Sequence, residues 1–320
     1  MGKLRVTTFN VENLFNRYAF LDEPFQGSSY ERFVQAVGIA SIASRKGDLV
    51  ADATTTIQRN NTALAIEKAA PDVLAVQEVE NVYALRILNE QYLGRYFRTI
   101  ILLDGNDPRG IDVGFLVRAD LDAEVLGIRS HIDDAVAGKT VERDTLSGIG
   151  YLTKNAVFSR DCLEVDLRVG GKELTFLVNH FKAQDQDPNS AIRRKGQAAR
   201  VAELVDAAVD RGRTPIVLGD LNVDRATDSS LDPLLSKPDL REAPVPDGWT
   251  HFYDSKKSVS QLDYILVGAS GAAWLPAQAE VVRDGLSTKC KQYTGPRFSG
   301  IGPVHTEASD HCPLTVELTF

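Results

Sequence analysis

Two stretches of this chain pass through the same order of events: an apolar strand that stops on polar residues, a helix, a second apolar strand and a second polar stop. In the first, Leu4–Asn10 leads to a helix over Thr62–Ala70 and then to Asp72–Gln77, which runs into Gln77-Glu-Val-Glu-Asn81. In the second, Leu174–Val178 ends in Asn179-His180, a helix spans Ile192 to Asp210, and Pro215–Leu218 ends in Gly219-Asp-Leu-Asn222. The helices are read from spacing. Ala63, Ile66 and Ala70 in one, and Val201, Leu204, Val205, Ala208 and Val209 in the other, recur at the period of a single helix face. Pro71 closes the first helix, because proline disfavours helical backbone in the residue before it. Two strand–helix–strand units predict two similar half-folds whose polar strand ends gather on one rim.

The rest of the chain reads mostly as β. Ile111–Val117, Ala156–Phe158, Leu163–Val169, Leu262–Val267 and Pro313–Leu318 are strand candidates. Residues 17–56 are irregular apart from a short helix at Tyr30–Val37, and residues 223–250 and 283–309 have the Pro, Gly, Asp and Ser content of long loops. Many short strands with few helices predict sheets packed together and covered by helices. No linker or low-complexity stretch divides the 320 residues, so a single domain over residues 1–320 is expected.

Composition removes several functional classes. No apolar run approaches the ~18–20 residues that cross a bilayer, so no stable membrane insertion is expected. The N-terminus lacks a charged segment followed by an apolar one, so no signal peptide is expected; that leaves the cytoplasm, or the exterior for a trimmed chain. Three cysteines, Cys162, Cys290 and Cys312, cannot make a disulfide framework. A net charge of −8 argues against coating nucleic acid by bulk charge, but not against an enzyme that recruits metal ions to meet a phosphate.

Acid, amide and imidazole side chains recur where the apolar strands stop: Asn10, Glu12, Glu78, Asn179, His180, Asp220, Asn222, Asp263, Asp310 and His311. Residues i and i+2 of a strand share a face, so Asn10 with Glu12, and Asp220 with Asn222, should each point two side chains one way. A carboxylate beside an amide can hold a hydrated divalent cation or orient a phosphate, and such hard oxygen donors suit Mg²⁺, Mn²⁺ or Ca²⁺. Each residue alone has an ordinary reading: Gly219–Asn222 as a turn, Asn10 as a helix cap, Glu78 as a solvated strand end, Ser309-Asp-His311 as an Asx turn. Their coincidence at strand ends favours a site.

The tips also carry, in order, Thr8-Phe-Asn-Val-Glu12, Gln77-Glu78, Asn179-His180, Gly219-Asp-Leu-Asn222, Leu262-Asp-Tyr-Ile265 and Ser309-Asp-His-Cys-Pro313. In these motifs, which run from residue 8 to residue 313, the chain resembles the endonuclease/exonuclease/phosphatase superfamily, whose members include deoxyribonuclease I-like nucleases. Asn10–Phe15, Gln77–Asn81 and Asp112–Leu116 look most like bacterial predicted extracellular nucleases. The resemblance implies a four-layer α/β/β/α sandwich: two mixed β-sheets packed face to face, helices outside, and an active site at one rim. It also implies hydrolysis of phosphate esters with Mg²⁺, or with Mn²⁺ or Ca²⁺. Carried over by residue, Glu78 is the principal metal ligand, supported by Asn10, Glu12 and Asp310. Asp263 and His311 pair, His180 and Asn222 contact the phosphate, and Asp220 orients or deprotonates water. Asn10 and Asn179 face the substrate; Arg109 stands where members often carry an arginine near substrate, or is a surface charge on its loop. Glu12 stands where several members have Asp or another residue. The base is either His311 aided by Asp263, or Asp220.

The leading expectation is a nuclease acting on DNA, or on RNA, with no protein partner and as a monomer. The alternative is a phosphatase or phosphodiesterase acting on phosphoinositides, phospholipids or small phosphate esters. Inositol-polyphosphate phosphatases of the superfamily carry a Trp-Cys-Asp-Arg type segment where this chain reads Ser260-Gln-Leu-Asp-Tyr264. Two weaker signals are Arg193-Arg194-Lys195, either a solvated helix face or a backbone contact, and Trp249-Thr-His-Phe-Tyr253 with Lys256-Lys257, either a nucleic-acid platform or a structural hairpin. Gly138-Lys-Thr140 is no P-loop, since the required first glycine falls on Asp133. Cys290, His305, His311 and Cys312 lack zinc-site spacing.

Overall fold

The computed structural model describes residues 2–20, 49–107, 109–146, 150–185 and 187–320. Strand β1 (Lys3–Leu14) precedes the antiparallel pair β2 (Asn16–Phe20) and β3 (Leu49–Ala53), then helix α1 (Thr56–Ala69) and β4 (Val73–Val79). Helix α2 (Val82–Ile87), β5 (Phe97–Leu102), β6 (Asp112–Arg118), β7 (Ala123–Arg129) and the hairpin β8 (Glu142–Leu146) and β9 (Gly150–Lys154) follow. The second half runs β10 (Cys162–Val169), β11 (Lys172–His180), α3 (Asn189–Asp210), β12 (Thr214–Asp220), α4 (Asp232–Leu235) and β13 (Leu240–Arg241). It ends with the hairpin β14 (His251–Tyr253) and β15 (Ser258–Ser260), then β16 (Asp263–Gly268), β17 (Glu280–Val281) and β18 (Leu314–Thr319).

Two six-stranded sheets result, in the orders β17-β18-β1-β4-β6-β5 and β13-β16-β12-β11-β10-β7. The expected half-units sit at their centres. β1 and β4 are parallel across α1, β11 and β12 are parallel across α3, and each pair is flanked by antiparallel neighbours. The sheets are therefore mixed.

Strand alternation builds four layers. Leu4, Val6, Val73, Ala75, Val113 and Phe115 of the first sheet meet Val165, Phe176, Val178, Leu218, Ile265 and Val267 of the second in one apolar cluster. The rings of Phe115 and Phe176 lie 5.0 Å apart across that seam. The opposite parity faces outward: Phe9, Leu74 and Val76 pack on Ala63 and Ile66 of α1 and Leu85 of α2, while Leu177, Val217 and Leu266 pack on Ala198, Val201 and Val205 of α3. The architecture is an α/β/β/α sandwich.

Element boundaries differ from the sequence reading where local capping intervenes. α1 starts at Thr56 rather than Thr62, because Thr55 and Gln58 form a reciprocal capping box. It ends as expected, with Ala70 in left-handed backbone before Pro71. Ala156–Phe158 is not a strand: left-handed residues at Asn155 and Asp161 turn the chain, and only Ala156 makes a bridge, to Ala135. The irregular stretch contains β2 and β3. The helix expected at Tyr30–Val37 lies outside the described residues.

Candidate active site

The alternation that fills the core also aims the site. Continuing the inward parity of Val6, Val178, Leu218 and Ile265 along their strands leads to Asn10, His180, Asp220 and Asp263, the last inward positions before the seam opens to solvent. Asp220 stands opposite His180 in β11 and opposite Asp263 in β16. Glu78 would face outward by the same count. A register shift between Gln77 and Val79, with φ +64° at Glu78, turns it to the rim, 3.7 Å from His180 Nε2. Asn222 lies beyond the end of β12 in left-handed backbone, so the expected pairing with Asp220 arises from a turn rather than from strand alternation.

Hydrogen bonds fix this cluster. The Asn10 amide donates to Asp220 Oδ2 at 3.0 Å, and Asn222 donates its backbone N–H to Asp220 Oδ1 at 2.8 Å and its amide to Oδ2 at 3.1 Å. His311 Nδ1 donates to Asp263 Oδ2 at 2.9 Å, and Thr250 Oγ1 donates to the same oxygen at 2.6 Å. Ser309 Oγ donates to the Asn10 carbonyl and accepts from the His311 N–H, tying the Ser-Asp-His segment to β1. Glu12 accepts the Asp310 N–H at 2.9 Å. His180 Nε2 lies 3.6 Å from Asp220 Oδ2, and its buried Nδ1 has no partner among the described residues.

The two imidazoles are driven apart electrostatically. Burial, then the charges of Arg160, His311 and Arg109, hold His180 well below its ordinary pKa, so it is neutral. Burial also opposes charge on His311, but Asp263 and Asp220 override it and hold His311 well above its ordinary value. Burial pushes Asp220 up to about 7, helped by Asp263 and opposed by His311 and Asn10. Glu12 is pushed up to about 9 by burial, then by Asp310, Glu307 and Glu78; burial and Asp310 likewise raise Glu78. Crowded oxygen donors of this kind fit a hard divalent cation, which relieves both burial and repulsion. Two His/Asp sets can also coordinate a divalent ion: His251, Asp310 and His311, and Asp220, Asp263 and His311, each with donors within 4.8 Å of one another.

Not every expected residue joins the cluster. Asn179 has outward parity, and its amide donates to the Leu177 carbonyl, away from His180. Arg109 borders the rim, paired with Asp107 at 3.1 Å, its charge felt at Glu78 and His180. Arg194 is structural: it bonds Asp228 at 2.7 Å and the carbonyl of Ala183. Two residues were not singled out from sequence. Arg160 is buried beneath the rim, paired with Asp107 at 2.9 Å and donating to the Phe181 carbonyl; its loop position gives no sequence signal. His251 lies inside the aromatic segment, which forms the β14–β15 hairpin, and its ring sits 4.5 Å from that of His311.

A sandwich with this rim of carboxylates, amides and imidazoles defines a metal-dependent hydrolase of phosphate esters. The sequence model of the Endonuclease/Exonuclease/phosphatase family matches residues 8–311, and the chain belongs to that family. Solved structures share the fold. An endonuclease/exonuclease/phosphatase from Bacteroides vulgatus is 14% identical over 100% of both chains, with a TM-score of 0.60. A Bacteroides thetaiotaomicron mannosyl-6-phosphatase is 18% identical over 99% of this chain and 100% of its own, at 0.59. D. rerio TDP2, in complex with a single strand DNA product, is 13% identical over 100% of both, at 0.57. A comparison with curated proteins finds no match.

Proposed function

We propose that the protein is a phosphodiesterase that cleaves nucleic acid, DNA in the first place. The observation that carries the reading is a cavity of about 620 Å³ lined by Lys154, Lys182 and Arg193 with Asn106, Ser159 and Gln197, where Lys182 follows His180 by two residues at the end of β11. In a chain of net charge −8, three cations around one cavity, one of them on the segment that leaves His180, suit an extended polyanion better than a single phosphate group. A TDP2 holding single-strand DNA on the same fold supports it.

Glu78, with Asn10, Glu12 and Asp310, would hold a Mg²⁺-class ion, which when bound supplies charge neutralisation at the phosphate. Asp220 takes the proton of the attacking water: a carboxylate whose pKa lies at about 7 is matched to that task at neutral pH. His311, kept protonated by Asp263, donates from Nε2 to a phosphate oxygen, and Asn222 and His180 orient the group.

The test is a substrate panel with Mg²⁺ and with EDTA: plasmid and single-stranded DNA, RNA, mannose 6-phosphate and phospholipid. Cleavage of DNA is expected, abolished by EDTA and reduced by about 10²–10⁴-fold in Asp220→Ala and in His311→Ala. Intact nucleic acid alongside turnover of mannose 6-phosphate would replace this reading with a sugar phosphatase, the activity named for the B. thetaiotaomicron neighbour.

A further inference from the structure

We propose that His251, Asp310 and His311 form a second cation site, which shares Asp310 with the oxygen donors around Glu78 and is selective for a zinc-class divalent ion, whose occupation shuts off hydrolysis. The inhibitory half rests on the hydrolase reading above; the binding half does not.

The site is built by the backbone. His251 and His311 face each other across an isolated antiparallel bridge, closed by Cys312 N–H to the Thr250 carbonyl at 2.7 Å and Phe252 N–H to the Asp310 carbonyl at 2.9 Å. Directly opposed residues project to one side, so both rings stand over Asp310. Each ring has its Nδ1 engaged, His311 by the Asp263 carboxylate at 2.9 Å and His251 by Ser260 Oγ at 3.3 Å. That is the arrangement that orients metal-ligating histidines. It turns His251 Nε2 to Asp310 and leaves His311 Nε2 between Asp310 and Asp220, whose Oδ2 lies 3.7 Å away.

The distances suit an ion better than hydrogen bonds. His251 Nε2 lies 3.5 Å from Asp310 Oδ2, and His311 Nε2 lies 4.0 Å from Oδ1. Both exceed ordinary hydrogen-bond lengths. Zn–N and Zn–O bonds of about 2.0–2.2 Å in a tetrahedron place donors about 3.3–3.5 Å apart, so a small inward movement closes the set. Two imidazoles with one carboxylate favour zinc over Mg²⁺, which prefers oxygen. The Asp310 side chain is 39% exposed, which gives an ion its entry and leaves a fourth position to water. In the other set, by contrast, Asp263 is already spent on His311 Nδ1. An ion at His251 displaces the Nε2 proton of His311 to solvent and takes one Asp310 oxygen, and the hydrolytic reading needs both that proton and that oxygen.

The test uses the full chain stripped of metal. Calorimetric titration with Zn²⁺, and visible absorption on adding Co²⁺ as a four-coordinate reporter, should show one site. His251→Phe, which keeps the ring contact, should weaken zinc at least ~30-fold and abolish the cobalt band; Ser260→Ala should weaken it ~10-fold. Glu78→Gln should weaken Mg²⁺ while moving zinc less than ~3-fold. Anomalous diffraction at the zinc edge on the unmutated protein should place the ion among the three side chains. An ion found at Glu78, or equal zinc losses in His251→Phe and Glu78→Gln, would overturn the site. Zinc bound here with Mg²⁺-dependent cleavage unchanged would overturn the inhibitory half alone. Zinc bound here by a protein that cleaves no phosphate ester would sustain the site, while removing the hydrolase reading and its inhibition.

Discussion

Glu12, Glu78 and Asn222 hold left-handed backbone, with φ of 48°, 64° and 51°, in a chain where side chains rarely adopt it. Such conformations cost about 1–3 kcal/mol each and persist where the surroundings over-determine them. Here they turn three strand ends toward one rim. Gly219 meets the same demand more strictly: its φ is 138°, and a Cβ there would stand 1.9 Å from the Asn179 carbonyl oxygen. That oxygen is backbone in the paired strand and cannot swing aside. Gly219→Ala is therefore expected to lower unfolding free energy by at least about 3 kcal/mol in urea titration; a loss under about 1 kcal/mol would show that β11 and β12 can separate there. The residue scale also sets what sequence could reveal. Asn10, His180, Asp220 and Asp263 were legible because strict alternation carries core parity to the rim. Glu78 was legible as an acid where a strand stops and through the resemblance, but not from alternation, which turns it outward. Arg160 and His251 were not legible, because a loop and a cross-strand bridge bring them in, and neither leaves a local pattern.

At the scale of elements, β10 shows a different use of alternation. Leu163, Val165 and Leu167 enter the seam, while Glu164 and Asp166 point outward into a cluster of cations. Asp166, wholly buried, accepts from Arg129 at 2.6 Å, Arg213 at 2.9 Å and Thr175 at 2.6 Å. Glu164, also buried, meets Arg129 at 2.8 Å, His131 at 2.9 Å and Arg211. Burial resists these charges, but hydrogen bonds from Thr175 and the cations hold Asp166 below its ordinary value, and His131 and the arginines do the same for Glu164. The sign follows from proton counting. Between the depressed folded pKa and the ordinary unfolded one, the unfolded chain binds more protons, so this stabilisation is complete above the unfolded pKa and is lost as pH falls through the folded one. Asp166→Asn should cost about 1–3 kcal/mol at pH 7, by taking the shared carboxylate from Arg213 and the more exposed Arg129, and should flatten the acid limb of a stability–pH profile below about pH 5. An unchanged acid slope would place the acid sensitivity elsewhere. The sequence showed the strand but not this network, whose cations come from β7 and from the turn after α3.

At the scale of the whole molecule, the chain ends are zipped into one structure. β1 pairs with β18 from Lys3↔Thr319 to Thr8↔Leu314, so the first strand of the first half-unit is completed by the last strand of the chain. The seam draws on β1, β4 and β6 from the first half and on β10, β11, β12, β16 and β18 from the second. The half-units, though alike, are therefore expected not to separate. The expectation is one cooperative unfolding transition for all 320 residues. Its two tryptophans probe separate regions: Trp274 packs 5.2 Å from Phe320, and Trp249 stacks under Arg283 beside the β14 hairpin. Tryptophan fluorescence and far-UV circular dichroism should give superimposable urea curves. Mg²⁺ at about 100 times its Kd should stabilise the protein by about 2.7 kcal/mol, moving the curve as a unit, with EDTA reversing the shift. The rim shares strands β1, β4, β11, β12 and β16 with the seam, so relief of the crowded carboxylates must be felt by the whole sandwich. Fluorescence loss ahead of dichroism, or a metal-dependent first step followed by a metal-independent second, would show instead that the rim or one half-unit unfolds on its own.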